Sequence, residues 1–282
     1  MTGTESDRRV GSSATVIAPR RRRGPATRAL VPLALLIVLL AAWQGLVSAL
    51  RVPAVILPPF SEVAQSLGSG VASGQYTQHL TVTLTETVMG FAIGALLGVI
   101  SGSLVAIYPA LEVAIAPYIL ALQTMPKVAI APLLMVWFGF GLESKIVVAA
   151  IVAWVPVMIN VLVGLRAVEP ERIELLRSMA ATRWQILWRL RIPNSLPYLF
   201  SGLESAVLLS LLGSVTAEFV GARAGLGYLL NQQMARLETA GVFAVLVILT
   251  AVGLALYLLV RAIHARLVFW ADSPAEESHL AA

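Results

Sequence analysis

The chain has 282 residues, of which 58% are hydrophobic and 12% are charged, and its mean hydropathy is +0.85. A soluble domain carries about 25% charged residues, so this composition indicates a protein that folds in lipid. The absence of cysteine excludes disulfides, thiolate nucleophiles and cysteine-ligated metals. The net charge of +5 does not indicate nucleic acid binding, because the basic residues lie at the ends of apolar segments, where they orient membrane proteins.

Six apolar segments are long enough to cross a bilayer, which requires about 20 residues. They cover approximately residues 30–50, 80–107, 113–138, 146–165, 198–220 and 242–260. The first could instead be a signal peptide, but its apolar run is longer than the usual ~7–15 residues and no small-residue cleavage site follows. The sequence therefore predicts an all-α fold, a polytopic membrane protein with six transmembrane helices.

The basic residues are distributed unequally between the two sides of this topology. Fifteen arginines lie before span 1, between spans 4 and 5, or at and after the end of span 6. The opposite side has only Arg51, Lys145, Arg223 and Arg236. The positive-inside rule therefore predicts that both termini are cytoplasmic.

The two ends of the chain differ in composition from the membrane domain predicted over residues 29–270. Residues 1–28 form a basic, polar cytoplasmic segment, and residues 271–282 form a short polar cytoplasmic tail. Both are predicted to be disordered. The Arg20–Arg23 run could contact anionic lipid or act only as a topology signal.

Span 2 carries four glycines at four-residue intervals. This spacing places them on one stripe of a helix, where a second backbone can approach closely. The partner helix could belong to the same chain or to a second subunit. The predicted helix-packing residues are Gly90, Gly94, Gly98 and Gly102.

Span 3 contains prolines at positions 117, 126 and 132, each of which disfavours a straight helix. Breaks at membrane depth are tolerated only against protein or a water-filled cavity. Polar residues beside the central proline and in spans 4 and 5 therefore predict a weakly polar translocation pathway. Its candidates are Gln123, Thr124, Lys127, Asn160 and Ser214. Lys127 could alternatively extend to the membrane surface or form a structural pair.

Catalytic and metal-binding patterns are missing from the sequence. No group of carboxylates and histidines has the spacing needed for acid–base chemistry or metal ligation. The histidines at positions 79, 264 and 279 lie at span ends or in the tail, where no role is predicted for them. We therefore predict no catalytic residue, no metal ligand and no cofactor site in this chain.

The segment 166–197 predicts two cytoplasmic helices between spans 4 and 5. The first begins at Pro170, a residue favoured in the first turn of a helix, and breaks near residues 180–181. Thr182 and Gln185 have the spacing of a capping box, which starts the second helix. This helix is expected to end before the prolines at positions 193 and 197. Large apolar residues on this loop need a partner surface: Leu175, Leu176, Trp184, Ile186, Leu187 and Trp188.

The loop resembles the signature of importer permeases of the ATP-binding-cassette (ABC) superfamily, which reads Glu-Ala-Ala, three residues, Gly, nine residues, Ile-x-Leu-Pro. The residues at these spacings are Glu174, Ala180, Leu190, Ile192 and Pro193. Further motifs resemble the nitrate, sulfonate and taurine branch: LPPFSEV at 57–63, PKVAIAPLLMVWFGFGLESK at 126–145, RWQ at 183–185, LP at 196–197 and AEFVGARAGLGYLL at 217–230. Several motifs in the right order, from about residue 57 to 268, make this resemblance specific.

The resemblance implies a permease domain over residues 29–270 that lies in the inner (cytoplasmic) membrane. It implies import of a small solute of the nitrate, sulfonate, taurine, bicarbonate or vitamin-precursor class. Its implied partners are ABC ATPase subunits that bind ATP and Mg, an extracytoplasmic solute-binding protein, a second and identical permease, and the lipid bilayer, with no nucleic acid. The sequence has no Walker A motif, so the ATPase must be a separate chain. The residues implied to contact it are Glu174, Ala180, Ala181, Thr182 and Arg183.

The loop departs from the family pattern at three positions. Leu175 and Leu176 replace two alanines, and Ala180 replaces the glycine. If this position requires a positive φ, alanine costs about 1–2 kcal/mol there. Either the turn differs in this chain or the helix pair is stiffer.

Two other classes of protein compete with the permease. An ion-coupled secondary transporter would need membrane-embedded carboxylates and internal repeats; only Glu86 and Glu218 are candidates, and both are predicted near span ends. A membrane-embedded enzyme would need a nucleophile–base or metal-ligand set, which the sequence does not show.

Overall fold

The structure is a computed structural model that describes residues 25–270. The predicted disorder of residues 1–28 and 271–282 concerns segments outside these described residues, apart from residues 25–28, which open the first helix. The Arg20–Arg23 run also lies outside them.

Between residues 25 and 270 the chain is helical, with no strand. The eleven α-helices of this range are α1 (Pro25–Ala49), α2 (Phe60–Ala72), α3 (Gln75–Ile107), α4 (Pro109–Thr124), α5 (Lys127–Phe138), α6 (Leu142–Arg166), α7 (Pro170–Ser178), α8 (Arg183–Ile186), α9 (Ile192–Gly221), α10 (Leu226–Ala235) and α11 (Thr239–Leu267). A π-helical turn, Leu187–Arg191, joins α8 to α9.

Helix α6 is the centre of the bundle and packs between α3 and α9. The predicted glycine stripe of α3 faces α6 of the same chain. A Cβ atom added at Gly94 would lie 2.5 Å from the carbonyl oxygen of Ala150 and 2.9 Å from the Cβ of Ala153. The two backbones are therefore too close for any larger side chain at this position.

Replacing Gly94 with Ala is expected to lower the free energy of unfolding by about 1–3 kcal/mol, because the added methyl group must displace the backbone of α6. Thermal unfolding in detergent measures the loss. The control is Gly68→Ala in α2, where a Cβ meets no atom within 4 Å and helix propensity favours alanine. Equal melting temperatures of the two variants would contradict the close contact.

Four helical runs of the described chain are long and apolar enough to cross a membrane: α3, α6, Arg183–Gly221 and α11. Predicted span 3 is not one helix, because the chain leaves helical geometry at Met125 and Pro126 and resumes as α5. The other two prolines of this span lie inside α4 and α5. Predicted span 1 corresponds to α1, which contains the apolar helical segment Leu33–Ala49.

The predicted end of the second loop helix, near Arg191, is wrong. The helix continues through the π-helical turn into α9, with Pro193 in the first turn of α9. In an α-helix, the proline ring would clash with the carbonyl four residues earlier. The wider π turn changes the bonding register, since the amide of Ile192 bonds to the carbonyl of Leu187 five residues back, and so accommodates the proline.

A smaller apolar cluster lies at the end of the bundle opposite α7 and α8. It joins α2, the start of α3, α10 and α11, and its members are Val63, Tyr76, Leu226, Leu229, Leu230, Ala244 and Val245. All seven are buried. This cluster holds the short helices α2 and α10 against the long ones.

Candidate functional site

The turn after α7 is a Schellman motif centred on Ala180. The amide of Ala180 donates to the carbonyl of Arg177 at 2.9 Å, and the amide of Ala181 donates to that of Leu176 at 3.0 Å. Ala180 has φ = +59°, the left-handed conformation that glycine usually supplies in this motif. This chain therefore keeps a left-handed turn here with alanine in place of glycine.

Thr182 and Gln185 form both bonds of the predicted capping box, which is confirmed. The amide of Gln185 donates to Oγ1 of Thr182 at 3.3 Å, and the amide of Thr182 donates to Oε1 of Gln185 at 2.7 Å. These bonds satisfy amides that the start of α8 would otherwise leave unpaired. The helix–turn–helix is thus held by its own local bonds.

The outer surface of this helix–turn–helix combines charge with exposed apolar side chains. Glu174 and Arg183 are exposed, and neither forms an ion pair with another described residue. Met179 and Trp184 are 71% and 70% exposed. Large apolar side chains this exposed, next to unpaired charges, are typical of a protein-binding surface. We call the α7–turn–α8 segment, residues 170–186, the coupling surface.

Replacing Ala180 with Gly is expected to stabilise the coupling surface by about 0.5–1 kcal/mol. Glycine removes the left-handed strain, which outweighs its larger entropy loss on folding. Slower hydrogen exchange of the amides of α7 would measure the gain. The control is Ala181→Gly, at a position without a positive φ, which should exchange faster; the opposite order would contradict a strained turn at Ala180.

Of the five predicted pathway residues, the four whose side chains the structure describes do not come together within one chain. Gln123 and Thr124 are exposed at the end of α4, where the hydroxyl of Thr124 donates to the carbonyl of Ala121 at 3.0 Å. Lys127 is the first residue of α5, and its side chain lies outside what the structure describes. Of the four candidates whose side chains the structure describes, Gln123 and Thr124 are therefore the exposed ones.

Asn160 and Ser214 lie in contacts between helices. The amide of Asn160 donates to the carbonyl of Pro156 at 2.8 Å, and the side chain packs against Gly202. Ser214 is fully buried, with its Oγ 2.8 Å from Oγ1 of Thr87. Both side chains thus join neighbouring helices.

A buried polar cluster that the sequence analysis did not identify ties α3, α9 and α10 together. Thr83 donates to Oε1 of Glu218 at 2.6 Å and accepts the amide of Leu226 at 2.8 Å. The other carboxylate oxygen of Glu218 accepts the amide of Gly227. A carboxylate at a helix N-terminus is stabilised by the unpaired amides and the helix dipole. Glu218 therefore fixes the start of α10.

Glu86 is the second carboxyl of this cluster and is also only 1% exposed. Its carboxyl lies beside that of Glu218, and no other described residue forms a hydrogen bond with its oxygens. Lys145 is buried within electrostatic range of both carboxyls, and its Nζ donates to the carbonyls of Phe140 and Gly141 at 2.7 and 2.8 Å. The sequence did not predict this cluster, because Glu86 and Glu218 were both expected near span ends. The sequence signal was the polar spacing of Thr83, Glu86 and Thr87, which share one side of α3.

Two of the three histidines have structural contacts. Nδ1 of His79 accepts the amide of Gly225 at 3.0 Å. His264 stacks on Phe200 and lies 2.9 Å from the carboxylate of Glu204. The third, His279, lies outside the described residues.

Long apolar helices around a central α6, with an exposed helix–turn–helix at one end, are typical of a multi-pass membrane protein. Residues 94–269, more than half of the chain, match the family described as binding-protein-dependent transport system inner membrane component. The chain belongs to this family and is a permease subunit of an ABC importer for a small solute.

Several permeases are similar to this chain over most of their length. The riboflavin transport system permease protein RibX of Chloroflexus aurantiacus is 37% identical over 238 residues, which cover 84% of this chain and 89% of the relative. The formylaminopyrimidine transport permease protein ThiX of Halalkalibacterium halodurans is 29% identical, with 86% and 96% covered. The taurine transport system permease protein TauC of Escherichia coli is 29% identical, with 83% and 87% covered.

A solved structure shares the fold. A chain of the MetNI methionine ABC transporter in an inward-facing conformation superposes with a TM-score of 0.56 at 23% identity, covering 67% of this chain and 93% of that one.

Proposed function

We propose that the chain crosses the cytoplasmic membrane six times and has both termini in the cytoplasm. The four long apolar runs supply four crossings, α1 supplies one, and α4 and α5, with 16 and 12 residues, supply the sixth as a broken span. The distribution of arginines supports this orientation.

Because the chain has no cysteine, single cysteines report its topology directly. A membrane-impermeant maleimide should label intact cells at Ser73→Cys and not at Ser178→Cys; the reverse pattern would overturn the orientation.

The coupling surface is the observation that carries the rest of the proposal. Its exposed charges and apolar side chains match a docking site for an ATPase subunit, with Glu174 and residues 180–183 at the contact. ATP and Mg bind to that partner, and the chain itself catalyses no reaction. Nucleotide-driven closure of the ATPases would then move α7 and, through α8, the start of α9.

The solute pathway is proposed to run along the α4–α5 junction, with Gln123, Thr124 and Lys127 on its wall. One chain leaves this junction open, so a second, identical permease is proposed to close the pathway by two-fold symmetry. An extracytoplasmic binding protein would deliver the solute. Asn160 and Ser214 support the wall from behind through their contacts between helices.

For the solute, we propose a vitamin-type heterocycle or its precursor, within the wider class that includes nitrate, sulfonates, taurine and bicarbonate. The support is the similarity of this chain to the riboflavin permease RibX and the formylaminopyrimidine permease ThiX. Calorimetry of the neighbouring binding protein with riboflavin, formylaminopyrimidine and taurine would test this choice.

Uptake into proteoliposomes containing the permease, the ATPase and the loaded binding protein should require ATP. Uptake driven by an ion gradient without ATP would instead support a secondary transporter.

A further inference from the structure

A cavity of about 390 Å³ lies where the coupling surface meets the end of the long helices. It is lined by residues of α7, α8, the π-helical turn and the end of α3. Three arginines and several apolar side chains line it, among them Arg177, Arg183, Arg191, Ile107, Trp184 and Leu187. No carboxylate is among its lining residues.

The three arginines of this cavity have no counter-charge within the described residues 25–270. None of them forms an ion pair or a side-chain hydrogen bond with a described residue. The Nε of Arg191 is buried and has no acceptor in the described part of the chain. A buried charged donor without a partner is costly, and such groups in native proteins ordinarily have one. The cavity therefore has the charge and the free donors of an anion site.

The position of the cavity narrows the class of anion. Ile107 ends α3, and Arg191 directly precedes α9, so the cavity lies at the ends of two long apolar helices, where lipid headgroups meet protein. Apolar residues and arginines line the same cavity. Orienting the chain in the membrane requires only positive charge on one side. It does not require three arginines to converge on one cavity.

We propose that this cavity binds a phosphate group, carried by an anionic phospholipid headgroup or present as free phosphate. Guanidinium groups bind phosphate oxygens in pairs, with more geometric specificity than ammonium groups. The cavity volume is within the range of small-ligand sites, and basic pockets at this membrane level bind lipid headgroups. A bound phosphate would bridge Arg177 on α7 to Arg191 at the start of α9, and so fasten the coupling surface to the long helices.

The test compares two variants of the cavity with a matched control, using the purified permease without an ATPase. Arg177→Gln and Arg191→Gln each remove one guanidinium from the cavity, and neither residue belongs to the proposed ATPase contact. Arg189→Gln removes an exposed arginine of the same turn that does not line the cavity. Native mass spectrometry should show phosphatidylglycerol retained in preference to phosphatidylcholine by the original protein. Each cavity variant should weaken this preference by about tenfold, and the control should leave it unchanged.

A second arm separates lipid from free phosphate. Delipidated protein in neutral detergent is titrated with inorganic phosphate, and its melting temperature is recorded. If phosphate raises the melting temperature of the original protein but not of the two cavity variants, the ligand is free phosphate. If phosphate does not raise the melting temperature and phosphatidylglycerol is selectively retained, the ligand is the lipid headgroup. The proposal would be overturned if all three variants retained phosphatidylglycerol equally and phosphate did not raise the melting temperature. If Arg191→Gln does not fold, Arg177→Gln on the exposed helix α7 carries the comparison. Because no ATPase is present, the result is independent of the coupling proposal.

Discussion

Replacing Glu174 with Arg is expected to abolish solute-stimulated ATP hydrolysis by the reconstituted importer while leaving membrane insertion intact. Glu174 is exposed on α7 and has no partner in the described part of the chain, so its charge is available to the ATPase. Reversing a charge at a protein interface places like charges together, which costs several kcal/mol. ATP hydrolysis by the complex, with and without loaded binding protein, measures the coupling.

The control for this variant is Arg172→Glu on the same helix. Two residues apart on an α-helix lie about 200° apart, so Arg172 is on the face opposite Glu174. Its ion pair with Glu169 is exposed and contributes little to stability. Coupling should survive this change. Normal coupling in Glu174→Arg, or an equal loss in both variants, would contradict docking through Glu174.

Replacing Glu218 with Gln is expected to lower the free energy of unfolding by about 1–3 kcal/mol and to loosen α10. The two carboxylate oxygens of Glu218 accept from Thr83 and Gly227. An amide has only one oxygen, so one of these buried donors would lose its acceptor. Thermal unfolding in detergent measures the loss, and faster hydrogen exchange at residues 226–227 should locate it at the start of α10.

The matched control is Glu86→Gln in the same cluster. Among the described residues, Glu86 has no hydrogen-bond partner other than the Glu218 carboxyl, and an amide at position 86 would keep that contact by offering hydrogens to Glu218. This variant should be as stable as the original protein or more stable. A loss equal to that of Glu218→Gln would show that the cluster depends on total charge and not on the bonds of Glu218.

Local features of this fold were predictable from the sequence because their bonds join near neighbours. The capping box of Thr182 and Gln185 and the helix break at Pro126 each depend on a few adjacent residues. The glycine spacing in α3 also predicted a close helix contact, although only the structure identifies α6 as the partner.

Features that depend on distant residues were not predictable in this way. Thr83 meets Glu218 across 135 positions of sequence, and nothing near either residue indicates the other. Lys145 was counted among the basic residues outside the membrane, yet it is only 3% exposed. The π-helical turn was missed because prolines normally end a helix, and a local rule does not include a change of bonding register.

The continuity of α8, the π-helical turn and α9 has a mechanical consequence. Residues 183–221 form one helical run of 39 residues, about 58 Å long at 1.5 Å per residue. Arg183 lies at one end of this run. Glu218, which accepts a hydrogen bond from the start of α10, lies near the other end. In a straight helix of this length, a tilt of about 5° around the first turn would move the far end by about 5 Å, close to the pitch of one helical turn. A small tilt at the coupling surface would thus produce a larger displacement of the end of α9 at the opposite face of the membrane, and α10 would move with it.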